Sequence, residues 1–196
     1  MRGGLLPALA ALLAFQLAGA EQRRVGPVAG AGAVAEVALN SAADPTVRVR
    51  VGGRLVASGV PARWLPWRLE LADVAGDGKV RIVVGITKST RYRPSPHNCL
   101  FVLQPRDGRL APVWLGSALS RPFIDFAYGR SRSGVGASLY ALERAPDGSL
   151  GAAAYRWNGF GYTLLSRKGR WTSAQLAHGG PDVIVRGDGR TFLVGR

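Results

Sequence analysis

The sequence predicts an all-β fold made of antiparallel, propeller-like repeats. Three observations carry this. Short stretches alternate apolar and polar side chains with a period of two, as in Thr46–Val51 (TVRVRV). Turn dipeptides separate such stretches again and again: Gly52-Gly53, Asp107-Gly108, Asp147-Gly148, Asn158-Gly159 and Asp188-Gly189. No window beyond the first residues carries a helical period.

The first residues read as a leader. Met1-Arg2 gives a positive start, Leu5 to Leu17 is apolar, and Ala18-Gly19-Ala20 has the form of a signal-peptidase site. Residues 1–20 are therefore expected to be a signal peptide, and the protein exported to the periplasm or beyond the cell. No later apolar segment has the length of a membrane span. Residues 21–45, rich in Gly, Ala and Val, read as a spacer with at most a short strand or helical turn near Val34 to Leu39.

The β domain is expected over residues 46–196. Thr46–Val51 is a strand with one wet face, and Gly52-Gly53 turns it into Arg54–Val60. Arg81 to Ile86 (RIVVGI) is continuously apolar, as for a strand covered on both faces; Ser138–Glu143 and Asp182–Val185 resemble it. Inner strands starting near Ile82, Leu139 and Val183 define a repeat of about fifty residues, the size of a propeller blade. The last repeat looks one strand short, and the Thr46–Val60 hairpin is expected to complete it. Three degenerate blades are fewer than a closed ring uses. An open arc, a ring completed by a second copy and a curved sheet assembly all remain possible.

The stretch Asp73–Gly85 (DVAGDGKVRIVVG) resembles the Asp-x-Asp-x-Asp-Gly loop and following apolar strand of bacterial FG-GAP and VCBS propeller repeats. Trp114–Phe126 and Trp157–Tyr162 resemble segments of such exported proteins, and the likeness spans roughly Val47 to Val194. It implies a propeller-type fold. The broader group includes adhesive, ligand-binding and structural members, so it does not specify an activity.

Calcium is the cofactor such a loop suggests, yet the ligand pattern is broken. Asp73, Asp77 and Gly78 hold the first, fifth and sixth positions, but Ala75 holds the third and Arg81 the ninth. Two carboxylates remain where calcium takes six to eight oxygens. Lys79 and Arg81 add repulsion: at ~5 Å and an effective dielectric of ~20, one unit charge opposes another by roughly 3 kcal/mol. Arg81 is therefore expected to take the ion's place, bridging Asp73 or Asp77. No metal or other cofactor is expected.

The formal net charge is +14, or +13 without Arg2. Such a field favours an anionic partner. The arginines are scattered, however, and no basic stripe or nucleic-acid motif is present, which argues against specific nucleic-acid binding. The partner expected is a protein or an anionic polysaccharide, with a homo-oligomer as a further option. The polar, proline-broken segment Thr87–Asn98 reads as a long loop, and Arg91, Tyr92, Arg93 and His97 on it form a candidate binding surface. Arg121 is a further candidate, with a structural pair to Asp125 as the simpler expectation.

Signatures of catalysis are missing: no G-x-S-x-G, no H-E-x-x-H and no paired Cys/His spacing. Cys99 is the single cysteine, so no internal disulfide forms, and His97 two residues away shares a strand face with it. A small half-buried thiol is the expected role. Asp73, Asp125 and Glu143 are the carboxyls to inspect for glycoside hydrolysis, with strand-end bonds to backbone as the structural reading of the last two. Trp64, Trp67, Trp114, Trp157 and Trp171 are expected to pack the repeats together. The expected function is non-catalytic: an exported binding or envelope-structural protein. The alternative is a carbohydrate-active enzyme or a binder of acidic polysaccharide.

Overall fold

The computed structural model describes residues 21–39, 44, 46–131 and 134–194; the expected leader lies outside them. Fifteen strands and one 3-10 turn (Ala62–Trp64) make up the regular structure among these residues. The strands are β1 (Gln22–Pro27), β2 (Val34–Leu39), β3 (Val47–Val51), β4 (Arg54–Gly59), β5 (Pro66–Ala72), β6 (Arg81–Thr90), β7 (Arg93–Arg106) and β8 (Arg109–Gly116). They continue with β9 (Phe123–Arg130), β10 (Ala137–Arg144), β11 (Leu150–Trp157), β12 (Tyr162–Trp171), β13 (Ala174–Gly179), β14 (Asp182–Gly187) and β15 (Arg190–Leu193). No helix among them is long and apolar enough to cross a membrane.

Consecutive strands pair antiparallel within four meanders: β1–β4, β5–β8, β9–β12 and β13–β15. Three hydrophobic cores separate them in sequence order. Val37, Val49, Leu69, Ile82, Val84 and Phe101 fill the space between the first two meanders. Val83, Leu100 and Val102, on the opposite faces of β6 and β7, meet Phe126, Tyr128 and Leu139 of the third. Tyr140, Leu142 and Ala152 turn the other way, onto Leu176, Val183 and Val185 of the fourth. Strands β6 and β10 are therefore covered on both faces, which is why their sequences run apolar without alternation. In β14 Val183, Val185 and Gly187 are buried while Ile184 is half-exposed and Arg186 exposed, so this strand has one wet face.

The first two meanders join edge to edge, β4 to β8, through a parallel contact at Ser58 and Arg109. The result is a nearly closed eight-stranded sheet. Its remaining seam, between β1 and β5, is stitched by a side chain. Gln22 Nε2 donates to the Trp67 carbonyl at 2.8 Å, and Gln22 Oε1 accepts from the Leu69 amide at 3.0 Å. A parallel bridge from Val28 to Val80 extends the stitch.

Two expectations are corrected here. The segment read as a spacer does hold a strand at Val34–Leu39, one of the two options allowed there, but it also holds β1, and Ala35, Val37 and Leu39 of β2 are core residues. The Thr46–Val60 hairpin does not complete the last repeat; it pairs with β2 and β8 inside the eight-stranded sheet. The N-terminal residues thus add a meander of their own to the three repeats expected. All five turn dipeptides do lie between strands. At Asp107-Gly108, Asp188-Gly189 and Gly52-Gly53 both residues have positive φ, the backbone that a two-residue hairpin turn demands.

Candidate functional site

The Asp73 loop is closed by its own side chains. Asp73 Oδ1 accepts from the amides of Gly76 (2.8 Å) and Asp77 (3.1 Å), and Oδ2 accepts from Gly78 (3.0 Å). Arg81 donates in fork fashion to Asp77, Nη1 to Oδ1 at 2.9 Å and Nη2 to Oδ2 at 2.7 Å, and also reaches the Lys79 carbonyl at 3.0 Å. Of the two acids, Arg81 has paired with Asp77. That guanidinium holds the Asp77 carboxyl below the usual carboxylate range; the Lys79 amide adds to the effect and desolvation opposes it. The loop is also tied to the next meander: the Ala137 amide donates to the Asp73 carbonyl at 2.9 Å. A Cβ on Gly136 would lie 2.8 Å from the Gly76 backbone, so glycine is required for this approach. Among the described residues no group of three or more His, Cys, Asp or Glu side chains is placed to hold a metal ion.

Thr87–Asn98 is not a long loop. It is the end of the β6–β7 hairpin, with only Arg91 and Tyr92 in the turn. Pro94 and Pro96 are accommodated because β8 pairs with β7 only from Leu100 onward, leaving one side of the strand open there. Arg91, Tyr92 and Arg93 are exposed at the tip. His97 Nδ1 meets the Ser95 carbonyl at 2.8 Å, and its Nε2 is buried without a hydrogen-bond partner. Cys99 lies fully buried in the first core, and desolvation raises its thiol pKa, against a smaller pull from Lys88 and Arg93. It stays a protonated thiol at neutral pH and packs as a small apolar group.

The tryptophans pack as expected. Trp64 meets Phe101 edge-on at 5.7 Å, with Lys88 Nζ 4.4 Å above its ring; Trp67 meets Phe126 at 5.6 Å. Trp114, Trp157 and Tyr162 form an edge-on trio between the second and third meanders, and Trp171 lies on Phe192.

Arg121 does not join the hairpin tip, nor does it pair with Asp125. It lines an open groove of about 330 Å³ together with Pro146, Asp147, Gly151, Arg167 and Arg170. Arg167 and Arg170 are three apart on β12, so strict alternation would aim them at opposite faces. A bulge at Gly169 (φ 81°), where the β11–β12 register shifts, brings both to the groove. Gly169 also lies directly against the Trp171 indole, where a Cβ would come within 2.1 Å of the ring.

Beneath the groove lies Glu143, its side chain 1% exposed. Arg167 Nε and Nη2 donate to Glu143 Oε2 at 2.9 and 2.6 Å, Tyr155 Oη donates to Oε1 in a short hydrogen bond, and Ser120 Oγ completes the ring by accepting from Arg167 at 2.6 Å. Glu143 therefore makes a buried side-chain network in place of the strand-end backbone bonds expected. Burial first, and Glu143 second, push the Tyr155 phenol up to about 12. Arg170 pairs with Asp147 at the rim. Arg121 has no hydrogen-bond or ion-pair partner among the described residues.

A second charged cluster forms where β1, β5, β9 and β13, the first strands of the four meanders, converge. Glu70 Oε1 lies 2.9 Å from Arg68, 3.5 Å from His178 and 3.6 Å from Arg24. Arg68 also stands 3.8 Å from Asp125, whose carboxyl is raised by burial against the pull of Arg68. The three acids marked for hydrolysis thus occupy three separate surroundings. Sequence reasoning missed Arg167 and Arg170 because the bulge at Gly169 was not read, though a glycine inside a strand-like run was its signal. It missed Glu70, Arg24, Arg68 and His178 because only the topology unites them. No protein-family model matches the chain, and none of the curated proteins does.

Proposed function

We propose that this chain is an exported, non-catalytic binding protein whose Arg121–Arg167–Arg170 groove receives the carboxylate or sulfate groups of an acidic polysaccharide. The observation that carries this reading is Arg121, a guanidinium lining a groove without a carboxylate of its own. Arg167 and Arg170 beside it are neutralised by Glu143 and Asp147, so the groove keeps an excess positive charge. A molecular charge of +13 without the leader's Arg2 would steer polyanions toward it. On this reading the four meanders are degenerate blades of the FG-GAP and VCBS type, with Arg81 standing where the repeats elsewhere use calcium.

The test is retention on immobilised heparin in rising salt. Arg121→Gln and Arg170→Gln should elute at lower salt than the wild type, and Arg91→Gln with Arg93→Gln should lose no more than any surface charge. Loss confined to the hairpin variants would move the site to the β6–β7 tip and overturn the groove. One observation favours a second reading, a carbohydrate-active enzyme: the Asp125 carboxyl is raised by burial, and more weakly by Glu70, against the opposing pull of Arg68, a shift toward the protonated form that general-acid work uses. Turnover of a polysaccharide, abolished by Asp125→Asn, would establish it in place of the binding role.

A further inference from the structure

Among the described residues the fourth meander has three strands, β13 to β15, where each of the other meanders has four. β15 is its last strand, and only β14 pairs with it there. The two-residue turn at Asp188-Gly189 makes Gly187 and Arg190 a hydrogen-bonded pair. Two residues further on Phe192 bonds inward again, and the Val194 amide reaches the Val183 carbonyl at 3.1 Å. The backbone amides and carbonyls of Thr191 and Leu193 therefore point away from β14. A groove of about 460 Å³ lies along this free edge, between β15 and β12.

The interface one meander earlier shows what such a groove would hold. There Trp114 of β8 packs edge-on against Trp157 of β11 and Tyr162 of β12, the third and fourth strands of the next meander. In the last interface Trp171 of β12 meets Phe192 of β15, a third strand, at 5.4 Å between ring centroids. No described fourth strand follows, and Phe192 stays 37% exposed. Charge decides which strand fits. Lys168 lines the groove and no acid does, while Arg186 and Arg190 stand exposed on β14 and β15. The nearby acid, Asp188, is turned to the amides of Thr172 and Ser173. A second copy of this chain would bring its own excess of arginine and lysine to the same place, whereas an acidic segment would meet opposite charge.

We propose that the free edge of β15 captures an extended acidic peptide of a partner protein, which becomes the fourth strand of the last meander. Its backbone pairs with Thr191 and Leu193, an apolar side chain covers Phe192 and Trp171, and its acids face Lys168 and Arg190. Main-chain bonds supply affinity in this mode of recognition, and alternate side chains supply specificity. The surface shares only Gly169 with the lining of the arginine groove, and the proposal does not depend on that groove binding a polysaccharide.

The test titrates the full chain with short synthetic peptides, read by fluorescence anisotropy and by NMR-detected exchange of the Thr191 and Leu193 amides. The probe alternates glutamate with valine and phenylalanine; one control replaces glutamate by lysine, and another carries N-methyl groups on alternate amides. The glutamate peptide should bind saturably and slow exchange at Thr191 and Leu193. The lysine and N-methylated peptides should each bind at least about tenfold more weakly, the second through lost backbone bonds. Thr191→Pro removes one outward donor and leaves the ladder to β14 intact, so it should weaken binding about tenfold. The N-methylated peptide keeps the test sound if that variant fails to fold. Exchange at Thr191 and Leu193 unchanged by the glutamate peptide would overturn the proposal. So would equal binding of the N-methylated or lysine peptide, or affinity that Arg121→Gln abolishes and Thr191→Pro spares, which would place the peptide in the arginine groove. Protection of both amides that rises with protein concentration, without peptide, would make a second copy the occupant and overturn it too.

Discussion

Single ion pairs in this protein do different work according to how deeply they sit. Asp77 is 39% exposed at the side chain, so solvent screens its pairing with Arg81, and removing it costs about 0.5–1 kcal/mol. The sign with pH follows from the depressed folded carboxyl. The contribution is complete above the ordinary aspartate range, near a pH of about 4, and fades as the pH falls below it. Asp77→Asn should therefore lower the urea midpoint slightly at neutral pH and leave it unchanged in strong acid, where wild type and variant converge. A variant that stays less stable at every pH would show that the loss comes from the turn backbone instead. Glu143 stands at the other extreme. Replacing it by Gln strands the Arg167 guanidinium in a mostly buried place and should cost about 3 kcal/mol. Tyr155→Phe removes one bond from the same network and should cost roughly 1–2 kcal/mol. The double variant should be less destabilised than the two costs added, because both act on one network; additive losses from chemical denaturation would separate Tyr155 from the Glu143–Arg167 pair.

Among the elements, β6 shows how two packed faces constrain a strand. Gly85 stands on the face turned to β9, and a Cβ there would lie 2.8 Å from both the Phe126 and Trp67 rings. Gly85→Ala should cost about 1–3 kcal/mol by overpacking, read as a fall in the thermal midpoint; a neutral result would mean that the two rings have room to separate. This face was half legible in the sequence. The unbroken run Ile82–Ile86 signals burial on both sides, and the alternation of Thr46–Val51 correctly separates Val47 and Val49 from Arg48 and Arg50. Glycine-containing turn dipeptides mark hairpins because few residues tolerate positive φ. Other elements were hidden for physical reasons. β1 (QRRVGP) buries none of its side chains fully and carries Gly and Pro at its end, so no apolar alternation marks it, whereas β2 falls where the sequence allows a short strand or a helical turn. The prolines of Arg93–Asn98 argue against a strand, and an unpaired edge removes their penalty there. The bulge at Gly169 reverses the facing of Arg170, which alternation alone assigns to the wrong side.

For the molecule as a whole, the order of the meanders decides what the sequence pattern cannot. Each core lies between neighbours in sequence, and the first strands of all four meanders meet at the Glu70 cluster. The seam left between β1 and β5 is held by Gln22 in place of a backbone ladder. Upon this frame most buried charge is internally matched, and Arg121 is left to face the groove. The most direct test of the binding account is the salt dependence of affinity for heparin, measured for wild type and Arg121→Gln. Each cation that replaces a condensed counterion steepens the fall of log K with log salt by about one. The account predicts a slope shallower by about one in Arg121→Gln, with the fold unchanged by circular dichroism. A variant that keeps the full wild-type slope would contradict it.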